Sequence, residues 1–107
     1  MSMTPKILFK YQLPAVTTAQ ITSGPGSGKQ WIITKLRITN KTAAGTLTLT
    51  QGISGIDYVI LSPYTWTINV SLDIGPFIMD NGNDLDGTSG TASAAFDLVA
   101  YGYELDV

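Results

Sequence analysis

Two apolar segments between Gly24 and Gln51, in GPGSGKQWIITKLRITNKTAAGTLTLTQ, alternate with a period of two. Ile32, Leu36 and Ile38 fall on one side with Thr34, while Trp31, Ile33, Lys35 and Arg37 fall on the other. Further on, Leu47 and Leu49 oppose Thr46, Thr48 and Thr50. Successive side chains of a strand point to opposite faces, so this spacing marks half-buried antiparallel strands. A helix would need apolar residues about 3.6 apart, and Gly or Pro interrupts every stretch that could supply them.

The rest of the chain continues the pattern. Ile7, Phe9, Tyr11 and Leu13 alternate with Leu8, Lys10 and Gln12, and Pro14, which cannot donate to a ladder, closes that strand. Ala15–Thr22 is Thr-rich and β-prone. Tyr58–Ser62 reads as a strand broken by Pro63. Thr65–Ile74 reads as one long strand with Trp66, Ile68, Val70, Leu72 and Ile74 inward. GPF turns the chain into the short apolar piece Phe77–Met79, and DNGNDLDGTSGT is loop. In the closing strand, Ala92–Val107, both faces are apolar or aromatic: Phe96, Leu98 and Ala100 on one, Val99, Tyr101, Tyr103 and Leu105 on the other. Either a bulge near Gly102 swaps the inward face, or another protein copy covers the outer one. Short strands at regular spacing with turns between them give an all-β fold: a single antiparallel β-sandwich, jelly-roll-like, over residues 1–107, with 1–6 an extended N-terminal arm.

Composition narrows the chemistry. The chain has no cysteine and no histidine, which removes thiolate zinc sites, thiol nucleophiles and the commonest general base. A nucleophile–base pair would have to come from carboxylates or lysines, so no enzyme and no cofactor is expected. Charged residues make up 13%, about half the roughly 25% of ordinary domains. The surface is therefore Thr, Ser, Asn and Gly, or is covered by another subunit. Every basic residue lies between Lys6 and Lys41 and every acidic one between Asp57 and Asp106. That asymmetry means either complementary association faces or charges that neutralise when early and late strands mix. The basic residues are never clustered, so nucleic acid is not an expected partner. No apolar run approaches the roughly 18 residues of a membrane span, and MSMTPK lacks a signal-peptide core. Synthesis in a cytoplasm, with no membrane and no small-molecule partner, is the expectation.

Two motifs invite chemistry. GPGSGKQ imitates a P-loop, but Gln30 stands where a magnesium-holding hydroxyl belongs, Ser23 stands where the first Gly belongs, and a strand follows instead of a helix. Asp80, Asn81, Asn83, Asp84 and Asp86 form an oxygen-rich stretch of the kind calcium favours, yet no register matches an EF-hand and no closing Glu is present. Such residues also support turns. Trp31, Trp66, Tyr58 and Tyr64 are the aromatics from which a sugar-stacking platform could be built.

The Gly turn and SGKQWIITKLRITNKT, then LTLT, LSPYTWTINVSL, DIGPFIMDNGNDL and a closing GYEL occur in that order. This order resembles the small β-sandwich virion proteins of tailed bacteriophages. Those proteins show a Pro-Gly-Lys turn, an Ile-rich strand ending in Thr-Asn, a Gly-Asp step and a Gly-Tyr/Val-Glu strand. The likeness runs from Gln12 to the end, with the turn stretched over Ser23–Lys29 and the Gly-Asp step written Asn81-Gly82-Asn83-Asp84. The resemblance implies a structural subunit of a virion. Its first form is a capsid decoration (cement) protein, bound to the major capsid protein and self-associated as a homotrimer. A tail or fibre accessory subunit is the alternative within that class, and a carbohydrate-binding module is the alternative outside it. The face carrying Trp31, Ile33, Lys35 and Arg37, with Val99, Tyr101 and Tyr103, is the expected partner interface.

Overall fold

A computed structural model describes residues 3–14, 18–41, 44–53, 55–67, 69–90 and 95–107, without the side chains of Met3, Thr4, Ser62, Pro63 and Tyr64. The expected inward position of Ile68, the beginnings of two strands at 15–17 and 92–94, and any stacking by Tyr64 lie outside the described residues. Alternation becomes strand throughout: β1 Met3–Leu13, β2 Thr18–Thr22, β3 Lys29–Asn40, β4 Gly45–Ile53, β5 Ile56–Trp66, β6 Ser71–Ile74, β7 Phe77–Asp80, β8 Asp84–Ser89 and β9 Phe96–Asp106. No described residue is helical.

The strands form two antiparallel sheets. One runs β1-β9-β3-β6, with β7 also on β3, and the other runs β2-β8-β4-β5. β6 and β7 pair with opposite ends of β3, so they are two halves of one interrupted edge strand. The pairs β1–β9, β2–β8, β3–β6/β7 and β4–β5 then nest like one long hairpin wrapped on itself, which is the jelly-roll topology. The core lies between the sheets. Leu36, Ile38, Phe96 and Leu98 come from the first sheet and Leu47, Leu49 and Leu85 from the second, all fully buried. Each such side chain contributes about 1.5–3 kcal/mol by leaving water. Trp66 meets Phe96 edge-on at 5.7 Å, and Phe9 stacks on Trp31 at 6.1 Å.

Four boundaries differ from the sequence reading. DNGNDLDGTSGT, read as loop, contains β8, Asp84–Ser89, which pairs with β2 and β4; its Leu85, Gly87 and Ser89 are buried in alternation, a pattern that the polar composition hid. Pro63 does not end its strand. β5 is the outermost strand of its sheet, and its register on β4 slips where Pro63 lies, between the Leu47↔Tyr64 and Leu49↔Leu61 pairs. An edge bulge is where a residue without an N–H is tolerated. Thr65–Ile74 is not one strand either. The chain turns through Asn69, at φ 63°, and crosses from β5 in one sheet to β6 in the other. Asn tolerates that left-handed conformation, and the Asn69 N–H donates to the Asn40 carbonyl at 2.7 Å. Finally, Met3–Lys6 pair with Leu105–Gly102 as the beginning of β1 rather than leaving the domain as an arm.

A line of irregularity crosses the five-stranded sheet. The β1–β9 register shifts between Ile7 and Phe9, the β3–β9 register shifts between Ile33 and Lys35, and Gly75–Pro76 interrupts β6/β7 at the same level. Thr34 is the extra residue of β3, and its hydroxyl donates to the Tyr101 carbonyl at 3.0 Å. One inserted residue shifts every later side chain to the opposite face, because the strand period is two.

Candidate functional site

The register spells out what the five-stranded sheet shows to the outside. At one end, Pro5, Tyr103, Ile32 and Ile78 form a row across β1, β9, β3 and β7. The next row holds Ile7, Tyr101 and Lys35, and the one after it Lys10, Val99, Arg37 and Asp73. Gln12, Asp97, Thr39 and Ser71 close the series. The face therefore grades from apolar to basic to polar. Ile7 is 46% exposed and Ile78 52%, large values for isoleucines on a strand. Lys35 lies over the Tyr101 ring, 5.1 Å from its centre, a cation–π contact. Beside Lys10, an open groove of about 530 Å³ runs between β1 and β9 along Tyr11, Gln12, Asp97, Leu98 and Val99.

Four ion pairs use up most of the charge on this sheet: Lys6–Glu104, Lys29–Asp106, Arg37–Asp73 and Lys41–Asp97. Each joins an early basic residue to a late acidic one, so the asymmetry along the chain is largely neutralised by strand mixing. Arg37 grips Asp73 with two bonds, of 3.0 and 3.1 Å, and this holds the Asp73 carboxyl below its ordinary pKa. The Trp31 indole N–H, donating at 3.0 Å, and then Lys6 lower Glu104. Lys29 lowers Asp106. Among the described residues, Lys10 and Lys35 are the cations outside these pairs, and both lie on the graded face.

The outer face of the four-stranded sheet is different. Thr18, Thr88 and Thr48 form one row and Gln20, Asp86, Thr50 and Val59 the next. Asp84, Gly52 and Asp57 form a third. Asp57, Asp84 and Asp86 bring carboxylate oxygens within 4.8 Å of one another, the grouping among the described residues that could hold a cation. Gly52 allows the approach, since a Cβ there would lie 2.0 Å from Asp84 Oδ1. Burial first, then Asp84 and Asp57, raises the pKa of Asp86.

Several expected site residues sit elsewhere. Trp31 and Ile33, read as part of the outward face, are 7% and 0% exposed and belong to the core. The bulge at Thr34 is the cause: Lys35 and Arg37 keep their outward positions while the residues before it swap sides, so Ile32 takes the outward place. Lys35, Arg37, Val99, Tyr101 and Tyr103 do share one face, joined by Ile7, Lys10 and Ile78, which the sequence reading did not single out. A strong β signal broken by Gly75–Pro76 opposite Thr34 was the trace of that bulge. With Trp31 and Trp66 both buried, the aromatic platform for sugar loses its tryptophans, though Tyr58 stays half exposed.

The two tempting loops are turns packed together. Gly26–Lys29 is a tight turn closed by the Lys29 N–H on the Gly26 carbonyl, with Gly28 at φ 75°, and it leads into β3 rather than a helix. Asp80–Asn83 is a second, with Gly82 at φ 89°; positive φ at that place favours Gly. The oxygen-rich stretch is thereby divided. The Asp80 carboxylate accepts from Gln30, and Asn83 Oδ1 accepts from the Asp80 N–H at 2.9 Å and from Gln51 at 3.4 Å. Asp84 and Asp86 pass to the other sheet. Asn81 donates to the Pro25 carbonyl at 3.1 Å, and Gly24 lies so close to Asn83 that a Cβ would fall 2.0 Å from its carbonyl oxygen.

The jelly-roll framework has a counterpart among solved structures. The chain is similar to a Bacillus endospore appendage subunit, from a structure described as a novel family of disulfide-linked pili. The two superpose with a TM-score of 0.63 over 99% of this chain and 89% of the other, at 14% identity. The likeness is therefore one of fold. No family model matches the chain, and no curated protein matches its sequence.

Proposed function

We propose that this protein is a structural assembly subunit whose working surface is the outer face of the five-stranded sheet. The observation that carries the reading is that face: exposed Ile7 and Ile78 beside Tyr101, Tyr103, Lys10 and Lys35 on a sheet that no described residue layers over. Aromatic and aliphatic side chains ringed by a few charges suit protein contact. In the form that the sequence resemblance favours, the subunit decorates a phage head, clamps the major capsid protein as a homotrimer, and resides in the virion. A second reading, a subunit of a fibre, is supported by the fold likeness to a pilus. These 107 residues carry no cysteine, so they would supply no disulfide to such a fibre.

Immunogold electron microscopy of particles purified from the source tests both readings. Label on heads supports decoration, label on filaments or tails supports the fibre reading, and label on no assembly sinks the structural role. Tyrosine-directed footprinting of the labelled particle should protect Tyr101 and Tyr103 relative to the free chain while Tyr58 stays reactive; equal reactivity in both states would remove this face from the contact.

A further inference from the structure

Building on the assembly reading, we infer that the graded face of the five-stranded sheet receives the acidic outer face of the four-stranded sheet of a second copy. The argument is charge complementarity between the two outer faces. Ion pairing inside the subunit leaves Lys10 and Lys35 over on one side of the sandwich, next to Ile7 and Tyr101. It also leaves Asp57, Asp84 and Asp86 over on the opposite side, close enough to repel one another. Neither group can satisfy the other within one subunit, because the whole sandwich lies between them. Placed face to back, two copies bring each set against its complement. The broad side of the molecule measures 43 by 27 Å, which accommodates the roughly 800 Å² per partner of a stable interface. Because the two surfaces differ, the contact is heterologous: a bound copy still presents a free face at each end, and growth continues into a ring or filament.

Sedimentation of the full chain from micromolar to millimolar concentration, at low and high salt, tests this. Wild type should form species larger than a dimer and should dissociate as salt screens the charges. Lys10→Glu with Lys35→Glu, and separately Asp57→Lys with Asp84→Lys, should each weaken self-association by about tenfold or more, since like charges then meet. Mixed together, the two variants should associate again, because each now fits the other. Circular dichroism of each variant confirms that it folds, and Asp57→Asn with Asp84→Asn gives a milder variant expected to shift association the same way.

Association unchanged in the aspartate variants, or a mixture that stays monomeric, overturns the face-to-back contact. A wild type that remains monomeric at millimolar concentration overturns it too. The assembly role is judged separately, by labelling of the native particle.

Discussion

The two sheets of this sandwich share one core but differ on the outside. The four-stranded sheet is faced mainly with threonine rows and carboxylates, the expected solvated side of an antiparallel sheet, with Val59 exposed on its β5 edge. The five-stranded sheet carries isoleucine, valine, tyrosine and lysine on its outer face before it turns polar at Gln12, Asp97, Thr39 and Ser71. Both have inner faces of equal quality, with Leu36, Ile38 and Leu98 set against Leu47, Leu49 and Leu85. Stability therefore does not explain the difference between the outer faces, and a surface of this kind is informative because folding did not require it.

The comparison depends first on which side of β3 each residue occupies. Trp31→Ala should cost about 3–5 kcal/mol, as for other buried tryptophans. Tyr103→Ala, on the outer face, should cost about 1 kcal/mol. Thermal unfolding of the two variants checks this; equal losses would mean that the bulge at Thr34 is misplaced.

Glycines sharpen the contrast next. Gly102 and Gly52 both leave only 2.0 Å for an added Cβ, but Gly102 faces the backbone carbonyl of Ile32 whereas Gly52 faces the side chain of Asp84. Gly102→Ala should destabilise by about 3 kcal/mol or more, because a strand must move. Gly52→Ala should cost about 1 kcal/mol, because a carboxylate can swing aside. Denaturant midpoints rank them, and the reverse order would break the account of both sheets.

The smallest effect is in the pH dependence. Asp86 has a raised pKa in the fold, so the folded state takes up its proton before the unfolded chain does. Stability should thus rise as pH falls from neutral toward the ordinary aspartate value of about 3.9. Asp73, Glu104 and Asp106 have lowered values, so their contribution is present above the ordinary range and is lost as pH falls through their folded pKa values. Unfolding temperatures of the dilute chain should peak on the acid side of neutral. Asp86→Asn should flatten the rise and leave the acid loss intact; a rise that persists in that variant would assign it to other groups.

Much of this was legible in the residues themselves. Alternation in β3, β4 and β9 put Leu36 with Ile38, Leu47 with Leu49, and Phe96 with Leu98 on shared faces, which the fold buries, and Gly28 and Gly82 marked turns that only glycine makes easily. The missing cysteines and histidines removed whole chemistries before any coordinate was needed. Alternation is local, however, and it reports relative facing only until a residue is inserted. Trp31 and Ile33 were placed outward because Thr34 looks like any other strand residue; its extra place exists only against Tyr101 and Gly102, some 67 positions away in the chain. Trp66 and Leu72 kept their alternation across a crossover between sheets, so Thr65–Ile74 read as one strand.

The sequence by itself determined an all-β chain with a two-faced closing strand, because period, turn residues and composition act over a few neighbours. Tertiary structure alone decided which face of β3 points outward, which charges cancel, and that Lys10 with Lys35 and Asp57 with Asp84 and Asp86 end on opposite sides. Those outcomes depend on register between distant strands, and register is set by the packing of the whole sandwich rather than by any one segment.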